Sequence, residues 1–307
     1  HSFGGAWTHE KLGRVRKYLE AYVKIMSKRT HSYAYIDAFA GTGYINKKAK
    51  EPLTDEEFQL SLPELFEPEV RDFIEGSART ALRITPGFKK YIFIEKDQKK
   101  VSQLENIKVD FPEHAENIEI VRGDANEAIL KICAQQWRTN RAVIFLDPYG
   151  MQIPWSTIER IAETQAIDLW YLFPIGVAIN RLLKKDGAIS DSIRSRLNQT
   201  FGETDWFDAF YTSHQRNDIF GGTDYHLEKT ADFEVIKEYF IQRLKEIFPG
   251  VADNPLLLKN SRNSPLYLLC FACGNRHAVD TAKKIAQDIL NPPKPKKKSA
   301  QLSLQLG

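Results

Sequence analysis

The chain has few cysteines, little net charge and no long apolar run. Three of its 307 residues are cysteine, and so small an odd number excludes a disulfide framework. No apolar run approaches the roughly 18 residues that a membrane span needs, which favours a cytoplasmic protein. The 43 Lys and Arg against 40 Asp and Glu leave a net charge of +3, too little to indicate nucleic-acid binding without a local basic patch.

Cys270 and Cys273 are spaced as a Cys-x-x-Cys pair, but the segment around them is apolar. Residues 265–273 are typical of a buried strand, in which odd spacing points the two thiols to opposite faces. A structural zinc site needs two further ligands at matching spacing, and none is apparent. We therefore expect reduced cysteines that pack in the core, and no metal centre.

The order of apolar segments predicts an α/β fold with a doubly wound, Rossmann-like sheet. An amphipathic helix over residues 8–28, with Thr8 as its N-cap, precedes five short apolar strands that are separated by helices. Alternation of this kind indicates parallel βαβ units with right-handed crossovers, buried on both faces. The predicted strands cover residues 33–37, 91–95, 118–122, 142–147 and 167–173.

Changes in pattern divide the chain into a core and additions. Residues 3–174 form the predicted core, with the N-terminal helix and a polar insertion loop over residues 47–75. Residues 175–251 are predicted to be an all-helical insertion, since helical patterns replace strands there. A hairpin and a helix over residues 252–290 complete the sheet, and the Pro- and Lys-rich residues 291–307 are typical of a flexible basic tail.

A glycine-rich turn follows the first predicted strand, at the sheet edge where open α/β proteins bind ligands. Glycine lets the backbone approach a ligand closely, but the third glycine of the dinucleotide fingerprint is missing. The turn therefore predicts a ligand site without a pyrophosphate cradle, and an ordinary tight βα turn is the alternative. Its candidate residues are Asp37, Phe39, Ala40, Gly41, Thr42 and Gly43.

An acid follows each of the next two predicted strands. Glu95 ends the second strand, where a carboxylate can accept hydrogen bonds from both ribose hydroxyls of a nucleoside. Asp124, in Arg122-Gly-Asp-Ala125, follows the third strand, where a carboxylate would accept the exocyclic amine of adenine. Either acid alone also fits an exposed loop position or a helix cap.

The fourth predicted strand ends in Asp147-Pro148-Tyr149-Gly150. Pro148 restricts Asp147 to extended geometry, which projects its carboxylate into the same crevice. That carboxylate and the Pro148 carbonyl would hold the two N–H bonds of an amino group and favour the pyramidal nitrogen needed for in-line attack on a sulfonium methyl. Tyr149 would stack on the base that carries the amine. A strand-end turn with a buried Tyr is the alternative.

Together these segments resemble class I S-adenosylmethionine-dependent methyltransferases over residues 33–173. The resemblance implies S-adenosylmethionine as cofactor, held by the glycine turn, by Glu95 at the ribose and by Asp124 with Ala125 at the adenine. It assigns the Asp147 segment to the methyl acceptor. Its Asp-Pro-aromatic-Gly order departs from the Asp-Pro-Pro-Tyr type of amino-methyltransferase and is similar to that of tRNA guanine-N2 dimethyltransferases.

A closer resemblance, to the three-Cys-motif partner protein family (TcmP), covers nearly the whole chain. It implies a bacterial methyltransferase-like protein with a winged-helix-like segment, and a separate partner protein that carries the three-cysteine motif. It also implies that the N-terminal helix covers the cofactor pocket, where Lys11 would meet the methionine carboxylate; an exposed helix lysine is the alternative. The matching segments are Phe3-Gly-Gly-Ala-Trp7-Thr8, Ile36-Asp-Ala-Phe-Ala-Gly-Thr-Gly43, Leu146-Asp-Pro-Tyr-Gly150 and Asp168-Leu-Trp-Tyr-Leu-Phe-Pro174.

Basic and aromatic side chains are interleaved in the predicted insertion. They would grip a phosphate backbone and stack bases, and a solvated helix surface is the alternative. The leading hypothesis is a methyltransferase acting on an amino group of an RNA or DNA base. The alternatives are a methyltransferase-like adaptor of a mobile-element or defence system without independent catalysis, and a methyltransferase of proteins or small molecules. The interleaved residues are Arg181, Lys184, Lys185, Arg194, Arg196, Trp206, Phe207 and Tyr211.

Overall fold

The protein is described by a computed structural model that covers residues 6–41, 76–217 and 223–291. A central sheet has the order β3-β2-β1-β4-β5-β10-β8, and β9 pairs with β10. Strands β1 to β5 are parallel, whereas β10 runs antiparallel to β5, β8 and β9. The strands are β1 Ser32–Asp37, β2 Lys90–Glu95, β3 Ile118–Arg122, β4 Asn140–Leu146, β5 Ile167–Phe173, β6 Tyr211–Asn217, β7 Thr223–Lys229, β8 Gly250–Val251, β9 Leu256–Lys259 and β10 Pro265–Cys273.

Helices cover both faces of this sheet. A π-helical turn, Ile175–Ile179, follows β5, and 3-10 turns cover Pro112–Asn117 and Arg276–Ala278. The α-helices are α1 Ala6–Met26, α2 Ser77–Leu82, α3 Gln98–Leu104, α4 Ile107–Asp110, α5 Ala125–Cys133, α6 Trp155–Glu163, α7 Asn180–Leu182, α8 Asp191–Phe201, α9 Trp206–Phe210, α10 Phe233–Ile247 and α11 Val279–Leu290.

Alternating strand residues point into two separate cores, as the pleat of a strand requires. Tyr35 packs with α1, α2 and α11, whereas its neighbour Ile36 packs with α5, α6, α8 and α10. Cys270 and Cys273 lie in different cores, so the predicted opposite orientation of the two thiols is confirmed. The predicted doubly wound, Rossmann-like α/β sheet is also confirmed.

Two sequence predictions need correction. Helix α1 already includes Ala6, so Thr8 lies within the helix and is not its N-cap. The insertion is not all helical, because β6 and β7 form an antiparallel hairpin between α9 and α10. This hairpin has polar residues in most positions of both strands, and such strands show little of the apolar alternation by which strands are recognised in a sequence.

The part of the chain beyond these elements is outside the described residues. This applies to the predicted loop over residues 47–75 and to the predicted tail after Asn291. Within the described residues, no helix combines the length and apolar character required to cross a membrane.

Candidate functional site

The candidate site lies at the edge of the sheet where β1 to β4 end. The strand order reverses between β1 and β4, and an open α/β sheet forms its ligand crevice at such a switch point. Asp37 is the last residue of β1 and Asp147 directly follows β4, so the two carboxylates belong to the two strands on either side of this point.

The turn after β1 is anchored to both neighbouring strands. The Ala38 N–H donates to the Phe145 carbonyl of β4 at 3.2 Å, and the Ala40 N–H donates to the Ile94 carbonyl of β2 at 3.0 Å. Gly41 then adopts a left-handed backbone with φ of +62°, which favours glycine. A Cβ at Gly41 would meet no described atom within 4 Å, so the space over the turn is open toward the described part of the chain. Thr42 and Gly43 lie outside the described residues.

Asp37 is fully buried beneath this turn. Its Oδ1 accepts the Phe39 N–H at 3.2 Å, and its Oδ2 accepts the Tyr35 hydroxyl at 3.4 Å. Burial raises the pKa of Asp37 to about 7, because desolvation outweighs the hydrogen bonds from Ser77 and Phe39 that favour the carboxylate. Asp147 raises this pKa further and Lys11 lowers it. Asp37 therefore titrates near neutral pH and responds to charge in the crevice.

Lys11 and Asp147 form an ion pair across the crevice. The Lys11 Nζ donates to the Asp147 Oδ2 at 2.5 Å, although the two residues are 136 positions apart. Lys11 is 4% exposed, and its ammonium lies 5.3 Å from the Trp7 ring centroid and 5.8 Å from that of Phe145. Helix α1 thus brings a buried cation to the acid expected at the methyl acceptor.

The sequence prediction gave Lys11 a different role, that of meeting the methionine carboxylate of the cofactor. The alternative of an exposed helix lysine is wrong, because Lys11 is buried. A sequence signal for its burial was available: Lys11 follows Trp7 by four residues and precedes Val15 by four, so it lies on the apolar stripe of α1. A charge on such a stripe needs a partner, but the spacing does not identify it.

Glu95 and Asp124 lie at the ends of the two strands beyond β1. Glu95 is half-buried, and its Oε1 accepts the Asp97 N–H at 2.8 Å. Asp124 caps α5, since its Oδ1 accepts the Asn126 N–H at 2.9 Å, while its Oδ2 lies 3.9 Å from the Lys96 ammonium. The helix-cap alternative for Asp124 is therefore observed, and each acid has a second oxygen besides the one that its backbone contact uses.

Pro148 and Tyr149 differ in exposure. Pro148 is buried, whereas Tyr149 is 48% exposed and has the Lys100 ammonium 5.7 Å from its ring centroid. The Tyr149 N–H donates to the Gln152 Oε1 at 3.0 Å, which holds the turn after β4. The alternative of a buried Tyr at this turn is wrong, and the ring offers a face at the crevice mouth.

The basic and aromatic residues of the insertion do not form the predicted stacking surface. Trp206 and Tyr211 are buried in the core of the insertion, and Phe207 stacks on Tyr211 with ring centroids 4.7 Å apart. The Arg194 guanidinium lies 4.1 Å from the Phe207 ring centroid, so this cation also packs on the core. The three aromatic residues of the predicted set therefore contribute to packing, and the basic side chains of that set that are exposed are Arg181, Lys184, Lys185 and Arg196.

No protein-family model matches the sequence, and no curated protein matches it. Among solved structures, a Legionella pneumophila protein is 10% identical, with 79% of this chain and 94% of that chain covered and a TM-score of 0.39. An O-methyltransferase from Bacillus cereus in complex with SAH is 12% identical, covering 69% and 78% of the two chains at a TM-score of 0.33. A methyltransferase from Geobacter sulfurreducens is 11% identical, covering 70% and 78% at a TM-score of 0.32. Similarities of this size do not assign a function to the chain.

Proposed function

We propose that the chain is an S-adenosylmethionine-dependent methyltransferase that acts on an amino group of a nucleic-acid base. The observation that carries the proposal is the convergence of Asp37, Glu95, Asp124 and Asp147 at the carboxyl ends of four adjacent parallel strands, around the switch point of the sheet. Asp37 would accept the amino group of the cofactor's methionine part, Glu95 its ribose hydroxyls and Asp124 its adenine amine. Asp147 would accept the amine of the substrate.

The described residues fit such a cofactor in two further respects. At the Gly41 turn, no atom of the described residues lies within 4 Å of where a Cβ would stand, so the described residues leave the backbone accessible to a ligand there. The Trp7 Nε1 is buried beside Lys11 and has no hydrogen-bond partner among the described residues, and a buried donor of this kind is stabilised by an acceptor from a ligand. A carboxylate is such an acceptor.

S-adenosylmethionine, when bound, supplies a methyl group on a positively charged sulfur. The chain would hold the acceptor amine: Asp147 Oδ1, to which no described residue donates a hydrogen bond, accepts one N–H, and the Pro148 carbonyl accepts the other. Held in this way, the amine would present its lone pair to the methyl group that the cofactor supplies. The proton lost by the amine would pass to Asp147 or to water. Lys11 on Oδ2 keeps the carboxylate in one orientation throughout.

Isothermal titration with S-adenosylmethionine tests the cofactor site. We expect binding to weaken about tenfold or more in Asp37→Asn and in Glu95→Ala, since each removes an acceptor for a ligand hydrogen bond. Glu119→Ala is the matched control, because Glu119 is an acid on β3 that pairs with Lys90. Absence of binding to the unchanged protein would refute the proposal.

Transfer of labelled methyl groups into fractionated RNA, DNA and protein tests the acceptor. We expect incorporation into RNA or DNA and a loss of about a hundredfold in Asp147→Asn, because the acceptor amine then lacks its anionic partner. Cofactor affinity should change much less in this variant. Labelling of protein alone would replace the nucleic-acid assignment with protein methylation.

We also propose that the chain acts with a protein that carries a three-cysteine motif, as the sequence resemblance to the TcmP family implies. The supporting feature is the insertion, residues 175–251, which carries exposed basic side chains. Co-expression and co-purification with such a protein tests the pairing. A stable complex that binds S-adenosylmethionine yet labels neither RNA nor DNA would favour the adaptor alternative.

A further inference from the structure

A cavity of about 600 Å³ lies at the opposite edge of the sheet, where β4 and β5 begin. It is bounded by the last turns of α1, the first turns of α11, and the residues Arg141 and Asp168 at the starts of the two strands. Arg141 precedes Asp147 by six positions along β4, which at the rise of an extended strand corresponds to about 20 Å. The cavity is therefore distinct from the crevice at the carboxyl edge, and its size is in the range of small-molecule sites.

The walls of this cavity are mainly apolar. Helix α1 contributes the rings of Tyr18 and Tyr22 and the side chains of Ile25 and Met26, and α11 contributes Ile285. Ile25 is 39% exposed and is among the few large apolar side chains that the described chain leaves open to solvent. Apolar walls around an open cavity favour a ligand with an apolar ring or chain.

The polar lining contains two arginines, two histidines and one acid. Arg29, His31, Arg141 and His277 line the cavity, against Asp168 as the one acid among the described lining residues. Neither arginine forms an ion pair with a carboxylate of the described chain. Both guanidinium groups are permanently charged, so two cations face a single acid, Asp168, whose pKa Arg141 lowers.

Arg141 is held in place for such a role. Its Nη1 donates to the Asn140 carbonyl at 2.7 Å and to the Trp137 carbonyl at 3.1 Å, which fixes the guanidinium at the start of β4. Asp168 is occupied elsewhere: its Oδ2 accepts the Tyr18 hydroxyl at 2.7 Å and its Oδ1 accepts the Gly274 N–H at 3.2 Å. The acid therefore ties α1 to the end of β10 by hydrogen bonds, and neither arginine donates a hydrogen bond to it.

We propose that this cavity is a second binding site, for a small organic anion whose apolar ring or chain packs between α1 and α11 and whose acidic group lies against Arg29 and Arg141. The proposal is independent of methyl transfer. It predicts one binding site per chain, whose affinity depends both on the shape of the cavity and on the positive charge of its lining.

Fluorescence titration with 1-anilinonaphthalene-8-sulfonate, an aromatic anion, tests the proposal, with native mass spectrometry to count bound molecules. Thr281→Trp places a large ring from an exposed position of α11 into the cavity without removing a core side chain. Lys284→Trp is its matched control, exposed on the same helix but outside the lining. Arg29→Gln removes one exposed cation of the lining, with Arg196→Gln as control.

We expect one bound dye, with affinity reduced about tenfold by Thr281→Trp and by Arg29→Gln and unchanged by the two controls. N-phenyl-1-naphthylamine, which lacks the sulfonate, should bind the unchanged protein about tenfold more weakly. Affinity that is unaltered in Thr281→Trp would overturn the location of the site. Equal affinities for the charged and uncharged dyes, together with unaltered binding by Arg29→Gln, would overturn its preference for an anion.

Discussion

Two buried aspartates lie at opposite edges of the same sheet, and their hydrogen bonds connect them to different parts of the fold. Asp168 accepts from the Tyr18 hydroxyl and from the Gly274 N–H, which are 150 and 106 positions away in the chain. Asp37 accepts from Tyr35 at 3.4 Å and from Phe39 at 3.2 Å, each two positions away, and from the side chain of Ser77 at the start of α2.

This difference in partners indicates a difference in purpose. The bonds to Asp168 join α1 and the end of β10 to β5, so removing the acid would leave donors of two other elements unpaired. Two of the bonds to Asp37 stay within its own strand and turn, and the third joins it to the start of α2. Asp37 lies at the carboxyl edge of the sheet and burial raises its pKa to about 7, which makes it a candidate for ligand contact.

The largest expected effect is on the pH dependence of stability through Asp37. Its folded-state pKa of about 7 lies above the ordinary value of 3.8, so the folded state holds this proton more tightly than the unfolded state does. The free energy of unfolding should therefore fall as pH rises from about 4 to about 7, by about 4 kcal/mol from this group, and then level off.

Asp37→Asn removes that titration. Chemical unfolding at several pH values should show the variant gaining stability relative to the unchanged protein as pH rises from 4 to 8. Lys11→Met should shift the fall of the unchanged protein to higher pH, because Lys11 lowers the pKa of Asp37. A difference between Asp37→Asn and the unchanged protein that does not vary with pH would show that Asp37 is ionised throughout.

Asp168→Ala should have the next largest effect. It leaves the buried Tyr18 hydroxyl and Gly274 N–H without an acceptor, and two unpaired buried donors cost about 3 kcal/mol together. Urea unfolding measures the loss. Tyr18→Phe in the Asp168→Ala background should recover part of it, since one of the unpaired donors is then gone. Without a loss in Asp168→Ala, the contrast between the two aspartates would disappear.

The Lys11–Asp147 pair should respond unequally to removal of its two members. The Lys11 side chain is 6% exposed and that of Asp147 is 25% exposed, so Asp147→Ala leaves a buried ammonium without counter-charge and should cost about 2 kcal/mol. Lys11→Met leaves a carboxylate that water can reach and should cost less. The double variant should be more stable than Asp147→Ala, and thermal melts of all three test the order. Equal losses in the two single variants would contradict the difference in burial.

The smallest expected effect on stability is at Asp124, where two substitutions distinguish a helix cap from a ligand contact. Asp124→Ala should lower stability by about 1 kcal/mol because α5 loses its N-cap. Asp124→Asn keeps an oxygen for the cap but replaces the second acceptor with a donor, so stability should hold while S-adenosylmethionine affinity falls. Titration and melting of both variants measure this. Unchanged affinity in Asp124→Asn would leave Asp124 as a helix cap alone.

The sequence predicted the sheet well because its strands are apolar, short and separated by helices. The predicted strands at residues 118–122 and 167–173 coincide with β3 and β5, and the hairpin of β9 and β10 was expected from its turn. The hairpin of β6 and β7 was missed, since its polar strands bury little on either face.

The sequence likewise predicts some features of the candidate site and not others. Asp37, Glu95, Asp124 and Asp147 could be placed from the sequence alone, because each follows a recognisable strand and the ends of parallel strands meet at one edge. The burial of Lys11 could also be predicted, because Lys11 lies on the apolar stripe of α1. Its partner was not, since 136 residues separate Lys11 from Asp147.

The amino-acid sequence by itself determined the periodicity of the elements, their succession along the chain and the acids that follow the strands. These features depend on the spacing of neighbouring residues. Only the tertiary structure decided which buried groups meet: Lys11 with Asp147, Tyr18 with Asp168, and α1 with α11 around a second cavity. Periodicity reports which face of an element is buried, whereas the choice of partner depends on how separate elements pack.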